Sequence, residues 1–287
     1  MPQAVEVLVV AYGASDLLDR CLAALGGALP VTVVDNSSEG AVSAVTSRHG
    51  ATYVDAGSNL GFAGGVNLGL RRRSQTRSDV LLLNPDATIA PGGVTELHTL
   101  LHTRPDLAAV APSQVDPSDG KQARVAWPFP TPWGAWIEAV GLGGLRRRHG
   151  FLIGSVLLLR AAALDEVGPF DERFFLYAEE TDWQKRARDL GWRVALCPSV
   201  TATHVGAGTG GATTEREAHF HASLERYMRK HYGTTGWWLF RTGVLAGALL
   251  RALLVPGERG RSAAARFRLY RVGPCRAEER SRAAVRP

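Results

Sequence analysis

Cysteine is scarce in this 287-residue chain, and the few cysteines lie far apart. Cys21, Cys197 and Cys275 are odd in number and widely spaced, which argues against a disulfide framework or a zinc knuckle as the basis of the fold. This usage fits a reducing, cytoplasmic compartment. No basic segment precedes the first apolar run, so we expect no secretory signal peptide. The sequence also has no internal repeat.

Charge is sparse in most of the chain and concentrated at its end. The net charge is +6, and residues 251–287 hold ten Arg against three Glu, a net of +7, which leaves −1 for residues 1–250. No aromatic and basic binding motif accompanies the arginines, so nucleic acid is not the expected partner. A basic segment beside an apolar stretch favours an anionic membrane surface instead.

The longest apolar stretch is too interrupted to read simply as a membrane span. Residues 237–255, WWLFRTGVLAGALLRALLV, include Arg241 and Arg251, whereas a spanning helix needs about 20 apolar residues without a break. Paired tryptophans at one end and arginines after it favour a helix lying at a membrane interface. A terminal helix packed on the protein is the equal alternative.

Strands and helices alternate in the first 90 residues. Apolar strands are predicted near 5–12, 31–34, 52–54 and 80–83, with helices between them. This alternation predicts an α/β fold with a mostly parallel, Rossmann-like central sheet flanked by helices. Later segments extend the pattern, with predicted strands at 107–111, 152–160, 194–196 and 200–203 and predicted helices at 93–102, 161–167, from 180 and at 214–232.

The segment VLLLNPDATI, residues 80–89, organises the rest. Its four apolar residues are typical of a strand buried on both faces. Pro85 then forces the chain out of the sheet, which leaves Asp86 at the carboxyl end of a central strand, where such sheets bind ligands. A carboxylate there suits a divalent cation bound to phosphate, and the alternative is a turn in which Asp86 bonds the local backbone.

Two further segments are expected to reach the same crevice. Asp35 also ends a buried strand and could accept hydrogen bonds from a base or ribose, with an Asx turn as the even alternative. The glycine-rich turn at residues 58–67, SNLGFAGGVN, could let backbone amides approach phosphate or sugar oxygens. Its alternative is tight packing of a helix on a strand.

Acidic residues crowd the start of a later helix, in the segment YAEETDW at residues 177–183. The helix dipole explains one or two acids at that place. Apolar flanks suggest that these carboxylates are partly buried, as a general base requires. His204 closes a strand and is either a metal ligand beside Asp86 or a structural histidine. We expect no H-x-x-x-H or cysteine partnership among the other seven histidines, and the glycine-rich loop 206–211 is interpreted as a flexible flap.

Taken in order, these segments resemble a known family. The chain contains VVAYG, VVDNSS, SNLGFAGGVN, LLLNPDATI, GFLIGSVLLLR, GPFDERFFLYAEETDW and THVGAGT. Over residues 5–235 it resembles the family-2 glycosyltransferases, and most of all their bacterial rhamnosyltransferase-like branch. The resemblance implies a GT-A fold, a nucleotide-diphosphate sugar donor, a divalent cation (Mg²⁺ or Mn²⁺) and inversion at the anomeric carbon.

The resemblance also implies roles for individual residues. Those implied to bind the donor are Ala11, Tyr12, Asp35, Asn59, Gly61, Gly64, Asn67, Asn84 and Asp86. Asp86 and His204 are the implied metal ligands, and Asn84 departs from the acidic first position of the family's D-x-D motif. Glu180 stands at the position of the catalytic base, with Asp182 close enough to leave that assignment open. On the acceptor side the implied residues are Gly154, Phe170, Asp171 and Glu179.

The residue patterns and the family resemblance together predict an inverting, metal-dependent sugar transferase. We expect a catalytic domain at residues 1–235, with a donor half at 1–111 and an acceptor half at 112–235, and a helical, basic extension at 236–287. Rhamnose from a dTDP donor and a lipid-linked cell-envelope acceptor on the cytoplasmic face are favoured. The alternatives are a transferase acting on a soluble natural product and, in another class, a non-catalytic nucleotide-sugar or membrane-binding module. The acceptor, the linkage and the oligomeric state stay open.

Overall fold

The structure, a computed structural model, describes residues 4–73, 77–145, 150–206 and 213–285, and the side chains of 145, 213–215 and 281–285 are not among what it describes. These residues form two compact units. The first takes in residues 4–127, 150–175 and 179–206. The second takes in residues 128–145, 176–178 and 213–285.

The first unit is built on a mixed sheet. The described strands are β1 (Val5–Ala11), β2 (Val31–Asp35), β3 (Thr52–Asp55), β4 (Asp79–Leu83), β5 (Ala87–Thr88), β6 (Leu107–Val115), β7 (Gln122–Ala123), β8 (Ala126–Trp127), β9 (Phe151–Leu152), β10 (Val156–Leu159) and β11 (Arg193–His204). The spatial order is β3-β2-β1-β4-β10-β6-β11-β5, with β7 beside β6 and a separate pair formed by β8 and β9. The four early strands are parallel, as predicted, whereas β10 runs antiparallel to both β4 and β6.

Helices of the first unit cover both faces of this sheet, and further helices belong to the second unit. The described helices are α1 (Ser15–Leu25), α2 (Gly40–Arg48), α3 (Gly61–Arg72), α4 (Pro91–Thr103), α5 (Pro132–Ala139), α6 (Ala161–Val167), α7 (Glu179–Asp189), α8 (Thr213–Leu254), α9 (Gly257–Val272) and α10 (Pro274–Val285). Leu81 and Leu83 point to one hydrophobic core, and Val80 and Leu82 to the other. Since β4 is fully buried, truncating Leu81 or Leu82 to Ala should cost about 2–5 kcal/mol.

Two predicted elements differ from the structure. The single strand expected at 152–160 is divided into β9 and β10, with residues 153–155 between them. The two strands expected at 194–196 and 200–203 are one strand, β11, whose register shifts between Cys197 and Thr201. Pro198 lies in this shift, and because proline has no N–H to donate, it is tolerated there as an irregularity rather than as a break.

The second unit is helical. Its long helix α8 is interrupted at Gly233, whose φ of 67° is not helical. After that break, Gly243 and Gly247 admit Trp136 and Ala139 of α5 to close contact, since added Cβ atoms there would lie 2.9 Å and 3.0 Å from them. The interruption falls two residues before the expected boundary at 235, and the division into donor and acceptor halves stays a prediction.

One glycine of the first unit holds two segments in close approach. Gly61 begins α3 with φ of 72°, and a Cβ there would lie 2.3 Å from the carbonyl oxygen of Phe175. The same oxygen accepts a 2.8 Å hydrogen bond from the N–H of Phe62. Only glycine satisfies both the left-handed backbone and the contact.

Replacing Gly61 tests this close approach. We expect Gly61→Ala to lower the free energy of unfolding by about 2–5 kcal/mol, the sum of left-handed backbone strain and overpacking. Gly57→Ala is the matched control, since Gly57 has φ of 70° with no atom within 4 Å of an added Cβ. It should lose only about 1–2 kcal/mol. Urea unfolding measures both, and equal losses would contradict the role given to the Phe175 contact.

Candidate active site

Several strands end side by side at one edge of the sheet. β1 lies between β2 and β4 and runs parallel to both, so their carboxyl ends face the same way. Ala11 ends β1 opposite Asp35, which ends β2, and Asn84 follows the last residue of β4. Ligands of open α/β sheets bind outside this edge. It is called the carboxyl edge below.

The turn after β4 brings Asp86 next to His204. The N–H of Ala87 donates to the carbonyl of Asn84 at 3.0 Å, which closes the turn around Pro85. β5 then pairs antiparallel with the end of β11, with Ala87 opposite His204. As a result, Nε2 of His204 lies 3.3 Å from Oδ1 of Asp86. The two residues proposed as metal ligands are neighbours, and their role stays a prediction.

The Asp86 and His204 pair fits a divalent cation. The Asp86 side chain is 3% exposed, and its Oδ1 accepts no hydrogen bond from the described residues. A buried carboxylate oxygen is costly unless a donor or a cation reaches it. His204 is 17% exposed and therefore open on its outer side. Carboxylate and imidazole with further positions left to substrate make a donor set that Mn²⁺ or Mg²⁺ accepts.

A pocket lies beside Asp86. It has a volume of about 140 Å³ and is lined by Leu17, Arg20, Asp86, Thr88, Pro117, Thr203 and Val205. Arg20 is its only cation among these lining residues, and it is a residue that the sequence analysis did not single out. Behind the turn, Cys21 donates to the carbonyl of Asn84 at 3.6 Å. Burial, aided by the negative charge of Asp86, raises the pKa of the Cys21 thiol to about 12, so this thiol stays neutral.

Asp35 is held by local hydrogen bonds. Its Oδ1 accepts bonds from the backbone N–H and the hydroxyl of Ser37 at 2.8 Å and 2.6 Å, and its Oδ2 accepts the hydroxyl of Tyr53 at 3.0 Å. The Asx turn that the sequence left open is therefore present. Burial, together with the bond to Asp35, raises the pKa of Tyr53 to about 12. These three bonds use most of the acceptor positions of the Asp35 carboxylate, and the residue is fully buried.

The glycine-rich turn at residues 58–67 both reverses the chain and lets α3 pack closely on β1. Asn59 accepts the N–H of Gly61 through Oδ1 at 3.0 Å, at the exposed start of α3. A Cβ on Gly64 would lie 2.8 Å from Cβ of Leu60, and one on Gly65 would lie 2.6 Å from Val10 of β1. The packing alternative therefore explains Gly64 and Gly65, while Asn59 and Gly61 remain at the carboxyl edge.

Asn67 ties α3 to the segment after α6. Its Nδ2 donates to the carbonyl of Phe170 and to Glu172 at 2.8 Å and 2.9 Å, and its Oδ1 accepts the N–H of Phe170 at 2.9 Å. Each polar atom of this buried side chain is thus used within the protein. Asn67 positions the segment at 170–172, and the structure does not direct it at a ligand.

Strand β10 brings Glu180 to the carboxyl edge. Because β10 is antiparallel to β4, residues 154 and 155 lie beside the end of β4, where the N–H of Asn84 donates to the carbonyl of Ser155 at 2.8 Å. A Cβ on Gly154 would lie 3.4 Å from Cβ of Glu180. A chain of neighbours therefore connects Asn84, Ser155, Gly154 and Glu180.

Glu179 and Glu180 are adjacent carboxylates with raised pKa values. Burial raises the pKa of Glu180 to about 7, against the opposing effect of hydrogen bonds from the N–H groups of Glu180, Thr181 and Gly154. Burial also raises the pKa of Glu179 well above its usual range, and the charge of Glu180 adds to this. Among the described residues, Oε2 of each lacks a hydrogen-bond partner. A carboxylate with a pKa near 7 suits general base catalysis.

The backbone just before this pair is strained. Tyr177 and Ala178 have φ of 67° and 65°, a left-handed conformation that side chains disfavour by about 1–2 kcal/mol per residue. Such strain is concentrated at functional sites, where it fixes the aim of a neighbouring group. Here it immediately precedes the first turn of α7.

Asp182 occupies a different environment from Glu180. It is fully buried, and its Oδ2 accepts Nε of Arg186 at 3.0 Å. Arg186 also donates to the carbonyls of Val167 and Pro169 at 2.6 Å and 2.7 Å. Asp182 thus anchors α7 to the turn at 167–169. Of the two candidates for the base, the geometry favours Glu180.

The remaining acceptor-side and donor-side candidates divide between core and surface. Phe170 is buried and stacks on Trp183, with ring centroids 5.8 Å apart, so it belongs to the core. Asp171 pairs with Arg173 at 2.6 Å. Tyr12 is 52% exposed directly after β1 and is available to a ligand. The proposed flap at 206–211 lies, apart from Gly206, outside the described residues.

One cluster in the structure, formed by Asp79, His98 and His102, was not predicted from the sequence. His98 and His102 are four residues apart on α4, and both approach Asp79, the first residue of β4. The expectation that no other histidines have the H-x-x-x-H spacing was wrong, because His98 and His102 have it, and this spacing puts both side chains on one helical face. Asp79 begins the strand whose other end leads to Asp86, so this cluster does not belong to the carboxyl edge.

Comparison with known families identifies the class. Residues 2–233 match the family model described as Glycosyltransferase like family 2. This covers most of the chain, which therefore belongs to glycosyltransferase family 2 and is a transferase, as the sequence resemblance predicted.

Individual relatives support this assignment. The chain is 29% identical over 270 residues to N-acetylglucosaminyl-diphospho-decaprenol L-rhamnosyltransferase of Mycobacterium tuberculosis, covering 83% of this chain and 87% of that protein. It is 27% identical over 208 residues to the low-salt glycan biosynthesis hexosyltransferase Agl10 of Haloferax volcanii, covering 69% and 66%.

Solved structures confirm the fold. The mannosyltransferase PcManGT from Pyrobaculum calidifontis, in complex with GDP-Man and Mn²⁺, superposes with a TM-score of 0.59 at 17% identity, covering 99% of this chain and 87% of that one. Glucosyl-3-phosphoglycerate synthase from Mycobacterium tuberculosis, in complex with Mn²⁺, UDP and glucosyl-3-phosphoglycerate, gives a TM-score of 0.57 at 15% identity, covering 79% and 80%. The fold is of the GT-A type, as predicted.

Proposed function

We propose that the protein transfers a sugar, with rhamnose favoured, from a nucleotide-diphosphate donor to a hydroxyl of a lipid-linked glycan, with inversion at the anomeric carbon. The observation that carries this proposal is the meeting of two kinds of group at the carboxyl edge. One is the Asp86 and His204 pair, and the other is Glu180, a partly buried carboxylate whose pKa is raised to about 7.

The donor would bind at the carboxyl edge between the ends of β1, β2 and β4. Asp86 and His204 would hold the divalent cation, which when bound neutralises charge on the departing diphosphate. Arg20, in the pocket beside Asp86, adds a fixed positive charge for the same phosphates. Asn59 would offer its side-chain amide at the start of α3, where Gly61 shapes the turn, and Tyr12 would offer an exposed ring after β1.

Glu180 would act on the acceptor. It takes the proton from the acceptor hydroxyl, and the oxygen attacks the anomeric carbon on the face opposite the nucleotide, which inverts that carbon. The raised pKa keeps Glu180 basic enough to accept this proton near neutral pH. Burial maintains that raised value, and the negative charge that Glu180 acquires raises the pKa of the neighbouring Glu179 further.

The choice of substrates rests on a relative. The mycobacterial protein named as acting on N-acetylglucosaminyl-diphospho-decaprenol is an L-rhamnosyltransferase and matches 83% of this chain. At 29% identity it supports rhamnose and an acceptor carried on a lipid diphosphate, and the dTDP donor is the expectation from the sequence. Such an acceptor would place the protein at the cytoplasmic face of a membrane.

The second unit offers a surface for that membrane. One described helix, Arg216–Leu254, is long and apolar enough for a span by length and composition, which by itself is weak support. Its second half is two-sided: Trp237 and Phe240 are buried, whereas Trp238, Leu250, Leu253 and Leu254 are 49–75% exposed. Arg241 donates to the carbonyl of Tyr270 in α9. A helix packed on one side and apolar on the other suits the interface rather than a span.

The base is tested by Glu180→Gln. We expect kcat/KM to fall by about 10²–10⁴-fold, because the proton acceptor is lost, while donor binding is retained. In the parent protein the rate should rise with pH to a plateau with a midpoint near 7, since Glu180 must be deprotonated to act. The control is Asp189→Asn at the other, exposed end of α7. If the Glu180→Gln variant kept full turnover, another residue would have to be the catalytic base. If the parent protein bound the donor without turnover, the non-catalytic module would be favoured.

Donor and cation are tested together by thermal shift. We expect dTDP-rhamnose with Mn²⁺ or Mg²⁺ to raise Tm by roughly 5–10 °C at saturation, and more than UDP- or GDP-sugars do. Asp86→Ala should abolish the cation-dependent part of the shift, whereas Asp165→Asn, an exposed control, should not. An unchanged shift in Asp86→Ala would contradict the cation site.

The membrane surface is tested by substituting its exposed leucines. We expect Leu250→Asp, Leu253→Asp and Leu254→Asp combined to reduce sedimentation with anionic phospholipid vesicles at least about tenfold, because three exposed apolar side chains that would enter the membrane interface are lost. Leu190→Asp, 51% exposed in the first unit, is the control. Point substitutions are preferred to deleting residues 237–287, since that deletion would remove the buried Trp237 and Tyr270. Unchanged vesicle binding and activity would favour a soluble acceptor.

A further inference from the structure

Asp79, His98 and His102 form a cluster at the amino end of β4. Asp79 is the first residue of that strand, and its register partner Val5 is the first residue of β1. The carboxyl edge lies beyond the other end of these strands. Any ligand held here is therefore separate from the donor site.

The ligand atoms of the cluster lie close together. Nε2 of His102 is 2.6 Å from Oδ2 of Asp79, and Nε2 of His98 is 3.3 Å from the same oxygen. The two imidazole rings have centroids 4.4 Å apart, and the three ligand atoms all lie within 4.8 Å of one another. In a tetrahedral site with metal–ligand distances of about 2.0–2.1 Å, neighbouring ligand atoms are roughly 3.3 Å apart. Small side-chain rotations would reach that spacing.

The surroundings orient the cluster. His98 and His102 share one face of α4, the arrangement that zinc-binding helices use. The other oxygen of Asp79 accepts the N–H of Ala161 at 2.8 Å, which fixes the carboxylate in the way that a supporting hydrogen bond orients a metal ligand. The neighbouring cation, Arg160, donates to the carbonyls of Leu101, Leu107 and Arg104.

Exposure leaves room for a fourth ligand. Asp79 is fully buried, whereas the side chains of His98 and His102 are 16% and 32% exposed. Solvent can therefore reach the imidazole side of the cluster. Two imidazoles, one carboxylate and a water molecule form a donor set that Zn²⁺ and Co²⁺ accept more readily than Mg²⁺ does.

We propose that Asp79, His98 and His102 bind a transition-metal ion of the Zn²⁺ type, separate from the cation of the donor site. Such an ion would join α4 to the start of β4 and so stabilise the sheet at the edge away from catalysis. Without an ion, the Asp79 carboxylate pairs with the two imidazoles as described above. Metal binding and simple ion pairing are therefore the two outcomes to be separated.

The test uses the full-length chain without a polyhistidine tag, treated with EDTA and carrying Asp86→Ala to remove the donor-site cation. Titration with Zn²⁺ by calorimetry, and with Co²⁺ by visible absorption, gives stoichiometry and affinity. We expect one ion per chain, and His98→Gln or His102→Gln should weaken binding on the order of a hundredfold or more. His49→Gln is the control, because His49 pairs with Asp19 at 2.8 Å without a second histidine.

A second measurement does not depend on whether the His98→Gln and His102→Gln variants fold. X-ray absorption at the zinc edge of the Asp86→Ala protein should show two imidazole nitrogens and oxygen ligands at about 2.0–2.2 Å. Absence of stoichiometric binding, or binding unchanged in both histidine variants, would overturn the proposal. Neither outcome bears on the proposed transfer reaction, since the test reads metal binding with the donor-site ligand removed.

Discussion

The site depends on one pairing, the antiparallel insertion of β10 between β4 and β6. Leu83 of β4 faces Val156, so the residues just before β10 lie where β4 ends. The hydrogen bond from Asn84 to Ser155 closes that junction. Gly154, the residue before Ser155, lies against Glu180, since a Cβ at that position would be in van der Waals contact with the Glu180 side chain. Without this strand, the turn carrying Asp86 and the helix carrying Glu180 would have no common boundary.

The same junction concentrates buried carboxylates, which oppose stability. Asp86 has an oxygen without a hydrogen bond among the described residues, and Glu179 and Glu180 share that property. Each buried polar group without a hydrogen bond lowers the free energy of unfolding by about 1–3 kcal/mol. The well-packed sheet, with β4 fully buried between two cores, offsets this cost. A protein that keeps such groups at one edge has its polar groups arranged for ligands rather than for maximal stability.

Local patterns predicted much of this arrangement. The run VLLL with a following proline was enough to place Asp86 at the end of a buried strand. The acids among aromatics indicated buried carboxylates at residues 179–182, and only the family resemblance singled out Glu180 among them. The direction of β10 could not be predicted, because an apolar run fits either strand direction and its partners are distant in sequence. The bonds that occupy Asn67, and the bond from Tyr53 to Asp35, also come from residues that the fold brings near, whereas the bonds from Ser37 to Asp35 form the Asx turn that the sequence had left open. The H-x-x-x-H spacing of His98 and His102 is visible in the sequence and could have predicted that the two side chains share a helical face.

The most direct measurement is a crystal structure with Mn²⁺ and dTDP, with the metal located by anomalous scattering. The account predicts a manganese peak within coordination distance of Asp86 Oδ1 and His204 Nε2, and the nucleotide beside it at the ends of β1, β2 and β4. A bound nucleotide with no manganese at Asp86, or with the ion and the nucleotide at some other part of the sheet, would contradict it.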